Sequence, residues 1–256
     1  MRSAWFRLFV LALALALTAA ACGGDDDNGE DTGGDTTEEE TAAEVDLTAF
    51  CDAVVEAEAQ VISVSQGGPT EGIEPALQDV EDTTPEELTE QITTILEGTR
   101  EALETQDDSV FETDEFTAAD EEVDQFVYEN CDLEQVDVSM VDYSFEGVPE
   151  SVPAGTVGFN VTNDGEELHE MILVRLKDPE AQVEELIRLP EKEVQKQIET
   201  VGFIFADPGA TDAQAFDLDP GEYGYVCFIP VGTTGEQEGD GPPHAFEGMF
   251  GQFTVE

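Results

Sequence analysis

The segment VDVSM, residues 136–140, marks the point at which the hydrophobic pattern of this chain changes. From here on apolar and polar side chains alternate, which is typical of β-strands with one buried face. Many short strands with one helical insertion, at 179–200, predict a β-sandwich or barrel of Greek-key type over residues 136–256, of which we take the sandwich. Turn sequences rich in Gly, Pro, Asn and Asp separate the further strands, which we place at 155–162, 168–176, 201–205, 213–218, 221–229 and 249–255.

Before this segment the apolar side chains repeat at a different spacing. Between residues 47 and 131, apolar side chains recur every three or four positions in three segments, and Pro85 stands where the second segment begins. This spacing is typical of amphipathic α-helices. The sequence therefore predicts an α+β fold with two domains, in which a small helical bundle over 47–131 is followed by the β-sandwich.

The N-terminus has the features of an export signal. Two arginines precede a short apolar run at 8–17, and small residues lead to Cys22. The run is too short to span a membrane, so we interpret residues 1–21 as a signal peptide. Small residues directly before a cysteine resemble the lipobox of bacterial lipoproteins, although Ala19 stands where leucine is usual. The resemblance implies a lipid on Cys22 that tethers the protein to the outer face of the cell membrane, with no other membrane contact; the alternative is secretion without lipid.

Residues 22–46 are mostly acidic or small and have no apolar periodicity. Such a segment buries too little surface to offset the entropy of ordering, so we predict a disordered acidic linker. The whole chain has 62 acidic and 8 basic residues, a formal net charge of −54. This charge excludes nucleic acid as a partner, because phosphate binding requires clustered Lys and Arg.

The chain has four cysteines, of which Cys22 is assigned to the lipid. Cys51 lies in the first predicted helix and Cys131 just after the last one. In an exported protein such a pair predicts a disulfide that closes the bundle; the alternative is two free thiols. If the disulfide forms, Cys227 is left unpaired. An unpaired cysteine in an oxidising compartment is a hazard unless it is buried, reactive or bound to a metal.

Histidine and methionine residues near predicted strand ends complete a candidate metal site with Cys227. The two histidines of the chain are His169, at the start of a strand, and His244, in the loop after Cys227; Met249 follows five positions later. One thiolate, two imidazoles and a thioether form the ligand set of a mononuclear blue copper centre, in which a weak axial Met completes a trigonal His₂Cys plane. We therefore interpret His169, Cys227, His244 and Met249 as ligands of one copper ion.

With this ligand order, residues 136–256 resemble a cupredoxin domain of the plastocyanin and azurin type. The matching motifs are DGEELHEM around His169, YGYVCFIP around Cys227, and PPHAFEGM around His244 and Met249. The resemblance implies one-electron transfer by a type 1 copper site and an exposed edge of the late histidine as the exit for the electron. We expect no enzymatic activity, because multicopper oxidases and copper nitrite reductases need more histidines than the two in this chain.

The chain departs from the family pattern in two places. Sixteen residues separate Cys227 from His244, where the family has a much shorter gap. Glu170 follows the first histidine, where the family commonly has an asparagine that ties the two ligand loops together. Coordination stays feasible because the entropy cost of closing a loop grows only slowly with its length. We nevertheless expect a looser, more solvent-exposed copper site with less rigid surroundings.

These patterns leave three functions open. The first is one-electron transfer, with an unknown redox partner that docks on apolar residues near Pro243, His244 and Phe246. The second is copper capture or delivery at the cell surface, which the acidic residues of the long loop favour. The third is a metal-free interaction lipoprotein in which the helical bundle is the working part.

Overall fold

The computed structural model describes residues 47–235 and 237–256 of the chain. The predicted signal peptide over 1–21, the linker over 22–46 and the predicted lipidation site Cys22 lie outside these residues. No helix among the described residues combines the length and the apolar character needed to cross a membrane.

The first part of the described chain is helical, as predicted. Two short 3₁₀ turns, Glu86–Leu88 and Asp108–Glu112, precede the third and fourth α-helices. The α-helices described between residues 47 and 131 are α1 (Thr48–Ser65), α2 (Ile73–Thr83), α3 (Thr89–Thr105) and α4 (Asp114–Asn130).

Helix α2 was not among the three helical segments predicted from the sequence. Its buried residues Ile73, Leu77 and Val80 are nevertheless spaced one helical turn apart. Pro75 lies in the first turn, where its missing N–H removes no hydrogen bond within the helix. Both the spacing and the early proline are signals of a helix, so this segment was predictable from the sequence and was overlooked.

The predicted disulfide between Cys51 and Cys131 is confirmed, with 5.9 Å between the two Cα atoms. It joins the first turn of α1 to the residue that directly follows α4. The bond therefore connects the two ends of the helical part of the chain, whose core includes Phe50, Leu77 and Val127. Among the described cysteines, Cys227 is the free one, and it is buried.

The remainder of the described chain forms two β-sheets. One has the strand order β2-β1-β4-β7 and the other has the order β3-β9-β8-β5-β6. Most neighbouring strands are antiparallel, but β1 pairs with β4, and β3 with β9, in parallel. The strands are β1 (Glu134–Val141), β2 (Ser144–Glu146), β3 (Ser151–Val152), β4 (Gly155–Asn163), β5 (His169–Leu176), β6 (Ile198–Ala206), β7 (Thr211–Leu218), β8 (Gly221–Val226) and β9 (Phe250–Val255).

The alternating pattern of the strands is confirmed by the packing. Val138 of β1 and Phe159 of β4 belong to the same buried cluster as Leu173 of β5 and Phe253 of β9. This cluster therefore joins both sheets into one apolar core. Burial of such side chains contributes roughly 25 cal/mol for each Å² of apolar surface removed from water, which makes the core the main support of the site described below.

The helical insertion predicted at 179–200 is smaller in the structure. The chain between β5 and β6 forms two single-turn helices, α5 (Val183–Leu186) and α6 (Glu191–Val194), and β6 already begins at Ile198. Pro190 stands between the two turns, and a proline disfavours helical geometry in the residue before it. The predicted helix is therefore interrupted, and only its last three residues, 198–200, belong to a strand.

The helices pack against one edge of the first sheet. Ala215 of β7 belongs to the core of the helical part, and both α1 and α4 contact β7. The sequence had left open whether the two parts of the chain touch. They share a packed boundary on β7, and the second sheet carries the candidate metal ligands.

Candidate metal centre

Strand pairing brings three of the predicted ligands to one edge of the second sheet, at the ends of the neighbouring strands β5, β8 and β9. His169 is the first residue of β5, Cys227 directly follows β8, and Met249 directly precedes β9. Strand β8 pairs in antiparallel fashion with β5 on one side and with β9 on the other. The start of β5, the end of β8 and the start of β9 therefore meet at the same place, because antiparallel neighbours run in opposite directions.

The long loop after Cys227 folds back on itself and returns His244 to the same edge. Pro230 and Pro243 form an isolated β-bridge, and the amide of His244 donates to the carbonyl of Ile229 over 2.9 Å. The amide of Ala245 donates to the carbonyl of Cys227 over 2.8 Å. The two ends of the sixteen-residue gap are thus held together like the strands of a hairpin, and the carbonyl of Thr233, further along the loop, accepts a hydrogen bond from the amide of Leu168.

The expectation of a more solvent-exposed site was wrong. His169, Cys227, His244 and Met249 each have 0% exposure. The hydrogen bonds at the base of the loop close the site, so loop length has no effect on the burial of the ligands.

The ligand atoms of the first three residues converge. The Nδ1 atoms of His169 and His244 are 3.0 Å apart, and the Sγ of Cys227 is 3.3 Å from the Nδ1 of His244. The ligand atoms of all three residues lie within 4.8 Å of one another. Imidazole nitrogens about 2.0 Å and a thiolate sulfur about 2.3 Å from one transition-metal ion lie roughly 3 to 4 Å apart. The donor set therefore fits a copper ion, and the separations of 3.0 and 3.3 Å from His244 Nδ1 match this spacing.

Met249 is placed beside these residues by its main chain. Its amide donates to the carbonyl of His244 and its carbonyl accepts from the amide of Cys227, each over 3.1 Å. Its side chain is in the same buried cluster as that of Cys227. The role of its sulfur as an axial ligand stays a prediction.

The opposite nitrogens of the two imidazoles contact carboxylates. His169 Nε2 is 2.7 Å from Asp142 Oδ1, and His244 Nε2 is 3.0 Å from Glu167 Oε2. An ionised carboxylate only accepts hydrogen bonds, so these contacts favour the tautomer in which Nε2 carries the proton and Nδ1 keeps its lone pair for a metal. Burial lowers the pKa of both His169 and His244, which favours the neutral imidazoles that metals bind.

Hydrogen bonds keep the carboxyl groups of Asp142 and Glu167 ionised. Burial acts to raise the pKa of Asp142, but hydrogen bonds from the Glu166 amide and from His169 outweigh it, so its pKa is lowered. The pKa of Glu167 is lowered in the same way: burial is outweighed by bonds from the Gly232 amide and other donors. By contrast, burial raises the pKa of the Cys227 thiol, so the thiolate requires a bound cation.

The tie between the ligand loops is present although the asparagine is not. Glu170 is buried, and its Oε1 accepts a hydrogen bond of 2.9 Å from the amide of Phe228. This bond connects the strand of His169 to the loop of Cys227. Burial raises the pKa of Glu170 to about 7. Glu170 therefore takes the bridging place expected of the asparagine, and the expectation of less rigid surroundings stays a prediction.

A tyrosine covers the late histidine. The ring centroids of Tyr143 and His244 are 4.7 Å apart, and the Tyr143 hydroxyl donates to Glu167 Oε1 over 2.8 Å. The exposed histidine edge implied by the family resemblance is thus absent from His244, whose side chain is closed off by these two residues. Nearby, Phe246 is 54% exposed, which makes it the most exposed large apolar side chain in the described part of the chain.

Sequence reasoning missed Asp142, Tyr143 and Glu167. The chain has 62 acidic residues, so neither carboxylate differs from the others in sequence. One signal was available for Glu167, which lies two positions before a predicted ligand. For Asp142 and Tyr143, which lie in the turn between β1 and β2, the sequence offers none.

Comparisons with known proteins give similar solved structures only. No protein-family model and no curated protein matches the chain. A reduced auracyanin from Roseiflexus castenholzii is 21% identical, with a TM-score of 0.33 over 48% of this chain and 96% of that chain. Auracyanin A of Chloroflexus aurantiacus, described as a "blue" copper protein, is 20% identical, with a TM-score of 0.32 over 49% of this chain and 100% of that chain. A reduced rusticyanin is 23% identical, with a TM-score of 0.32 over 48% of this chain and 76% of that chain.

Proposed function

We propose that the protein holds one copper ion at a type 1 site and uses it for one-electron transfer. The observation that carries the proposal is the convergence of two Nδ1 atoms and one Sγ, from three fully buried residues, at one edge of a sheet. His169, Cys227 and His244 would hold the ion, with Met249 as the weak axial ligand. Copper supplies the change between Cu(II) and Cu(I), and the protein supplies a dry and fixed environment.

The rigidity of the site supports electron transfer. Each imidazole is held at its Nε2 by a carboxylate, and Glu170 ties the two ligand loops together. The main chain of Met249 is bonded to both His244 and Cys227. Ligands that stay in place when the ion changes charge require little rearrangement, which favours fast electron transfer over chemistry on a substrate. We therefore propose a carrier rather than an enzyme.

Copper capture or delivery is the second candidate. It was favoured by the acidic loop after Cys227, but the ligands that would exchange copper are fully buried. The base of the loop is bonded across Pro230 and Pro243 rather than open. An exchangeable site requires access for a copper donor, so the burial favours electron transfer.

We further propose that the redox partner docks around Tyr143, Pro243 and Phe246. Phe246 is the exposed apolar side chain nearest in sequence to a ligand, and the exposed side chains of Glu166 and Glu247 lie on neighbouring segments. An acidic rim around an apolar centre favours a partner with basic residues and makes association sensitive to salt. Export and a lipid on Cys22 would place this surface at the outer face of the cell membrane.

The test is addition of copper(II) to the purified protein, followed by visible absorption and voltammetry. We expect an intense blue charge-transfer band, one equivalent of copper and a reversible one-electron wave. Cys227→Ser should abolish the band, whereas the double variant Cys51→Ser/Cys131→Ser, once circular dichroism shows that it is folded, should keep it, because these two cysteines form a disulfide and are not among the predicted ligands. Binding of Cu(I) without a blue band would instead support copper carriage. Absence of binding in both oxidation states would refute both functions and leave the interaction lipoprotein.

A further inference from the structure

We propose that Asp142 and Glu167 are positioning residues that bias the site toward Cu(II) and so lower its reduction potential. The inference rests on the proposed copper function and adds two residues to it that are not ligands. It concerns what the two carboxylates do to the imidazoles, and through them to the ion.

The contacts of the two carboxylates with the two histidines have the same geometry. Asp142 Oδ1 accepts from His169 Nε2 over 2.7 Å, and Glu167 Oε2 accepts from His244 Nε2 over 3.0 Å. In each ring the other nitrogen, Nδ1, points into the ligand cluster, where the two Nδ1 atoms are 3.0 Å apart. Each imidazole thus lies between a carboxylate and the place where the ion would bind.

The carboxylates are themselves held in place. Asp142 Oδ2 accepts from the amide of Glu166 over 3.0 Å. Glu167 accepts from the hydroxyl of Tyr143 through Oε1 over 2.8 Å, and from the amide of Gly232 through Oε2. Their side chains are 25% and 16% exposed, whereas both histidines are fully buried. The pair is therefore fixed by the fold and only partly screened by water.

The effect on copper follows from charge and basicity. A carboxylate that accepts the Nε2 proton increases the electron density that Nδ1 donates to a metal. It also adds a negative charge one ring away from the ion, in surroundings where charges interact more strongly than in water. Both effects stabilise Cu(II) more than Cu(I), because Cu(II) carries the larger positive charge. One such contact at each histidine makes the oxidised state the favoured one.

The test measures the reduction potential and the separate Cu(II) and Cu(I) affinities of copper-loaded variants of the whole protein. Asp142→Asn and Glu167→Gln keep a hydrogen-bond acceptor of the same shape but remove the charge. The matched controls Asp164→Asn and Glu166→Gln remove the same charge from exposed neighbours in the same region of the chain. We expect each test variant to lower the preference for Cu(II) over Cu(I) by about tenfold, which for a one-electron couple raises the potential by about 59 mV. The controls should move it much less.

Each outcome is decisive. A potential that is unchanged, or that rises no more than in the controls, would overturn the inference while leaving the blue wild-type protein as support for the copper function. An equal loss of affinity for Cu(II) and Cu(I) would also overturn it, because the carboxylates would then be purely structural. A wild-type protein that binds no copper would instead refute the proposed function itself. If one variant does not fold, as checked by circular dichroism, the other decides, since the claim holds for each contact separately.

Discussion

Replacing Glu58 with glutamine should flatten the pH dependence of the stability of this protein. Glu58 lies on α1 at the boundary between the helices and β7, and its Oε2 is buried with no hydrogen-bond partner among the described residues. Its side chain forms hydrogen bonds with Asp124 of α4 and Gln214 of β7. The carboxylates of Asp120 and Asp212 add negative charge nearby. Asp124 is itself buried. A carboxyl group in this position is stable only if the site retains a proton.

The direction and size of the effect follow from the pKa. Burial raises the pKa of Glu58 from 4.5 to about 8, although the bonds to Asp124 and Gln214 act in the opposite direction. Burial and the charge of Glu58 also raise the pKa of Asp124. The folded state therefore keeps a proton that the unfolded state releases above pH 4.5. This contribution to stability is complete below that pH and is lost as the pH rises toward about 8, by roughly 5 kcal/mol for the pair of Glu58 and Asp124, which titrate together.

The assay is urea unfolding followed by circular dichroism across this pH range. About 1 M salt shortens the Debye length to about 3 Å and so suppresses the general repulsion among the surface carboxylates. The wild-type free energy of unfolding should fall steeply, Glu58→Gln should lose less than half as much, and Glu56→Gln, on an exposed position of the same helix, should behave like wild type. A wild-type free energy that stays constant or rises with pH would refute the reasoning.

Three further predictions concern the disulfide, the tie between the ligand loops and the sheet core. Opening the bond between Cys51 and Cys131, by replacing both with serine, should lower the free energy of unfolding by about 4 kcal/mol, because the closed loop spans 80 residues; urea midpoints of the oxidised and serine proteins measure this. Glu170→Ala should weaken copper affinity by about 10- to 100-fold, and Glu170→Gln much less, because only the alanine leaves the loop amide without an acceptor; competition with a chelator distinguishes them. Gly202→Ala should lower the free energy of unfolding by about 1–3 kcal/mol and with it the melting temperature, because the added Cβ would overlap the ring of Phe216; an unchanged melting temperature would contradict the packing.

Local patterns in the sequence predicted a helical part followed by a part made of β-sheets, and the structure has both. The change of period at residues 136–140 separates helices from strands because each kind of element repeats its buried positions at its own spacing. The confirmed disulfide followed from the positions of two cysteines relative to the helical segments. The interrupted insertion at 179–200 shows the limit of this reasoning, because a proline inside a helical pattern ends the helix before it. The overlooked α2 does repeat its buried residues at helical spacing.

The candidate site, too, was predictable from the sequence only in part. The order of His169, Cys227 and His244 and the rarity of histidine and cysteine pointed to a shared metal, since so few residues in the chain offer nitrogen or sulfur ligands. The sequence by itself therefore determined the two kinds of element and the identity of the candidate ligands. Only the tertiary structure decided how these ligands are held. Asp142 and Glu167 reach their histidines across 27 and 77 positions of the chain. Contacts of this range depend on strand register and loop closure, which no local pattern encodes, and the two buried imidazoles that the carboxylates hold are brought together only once the strands have paired.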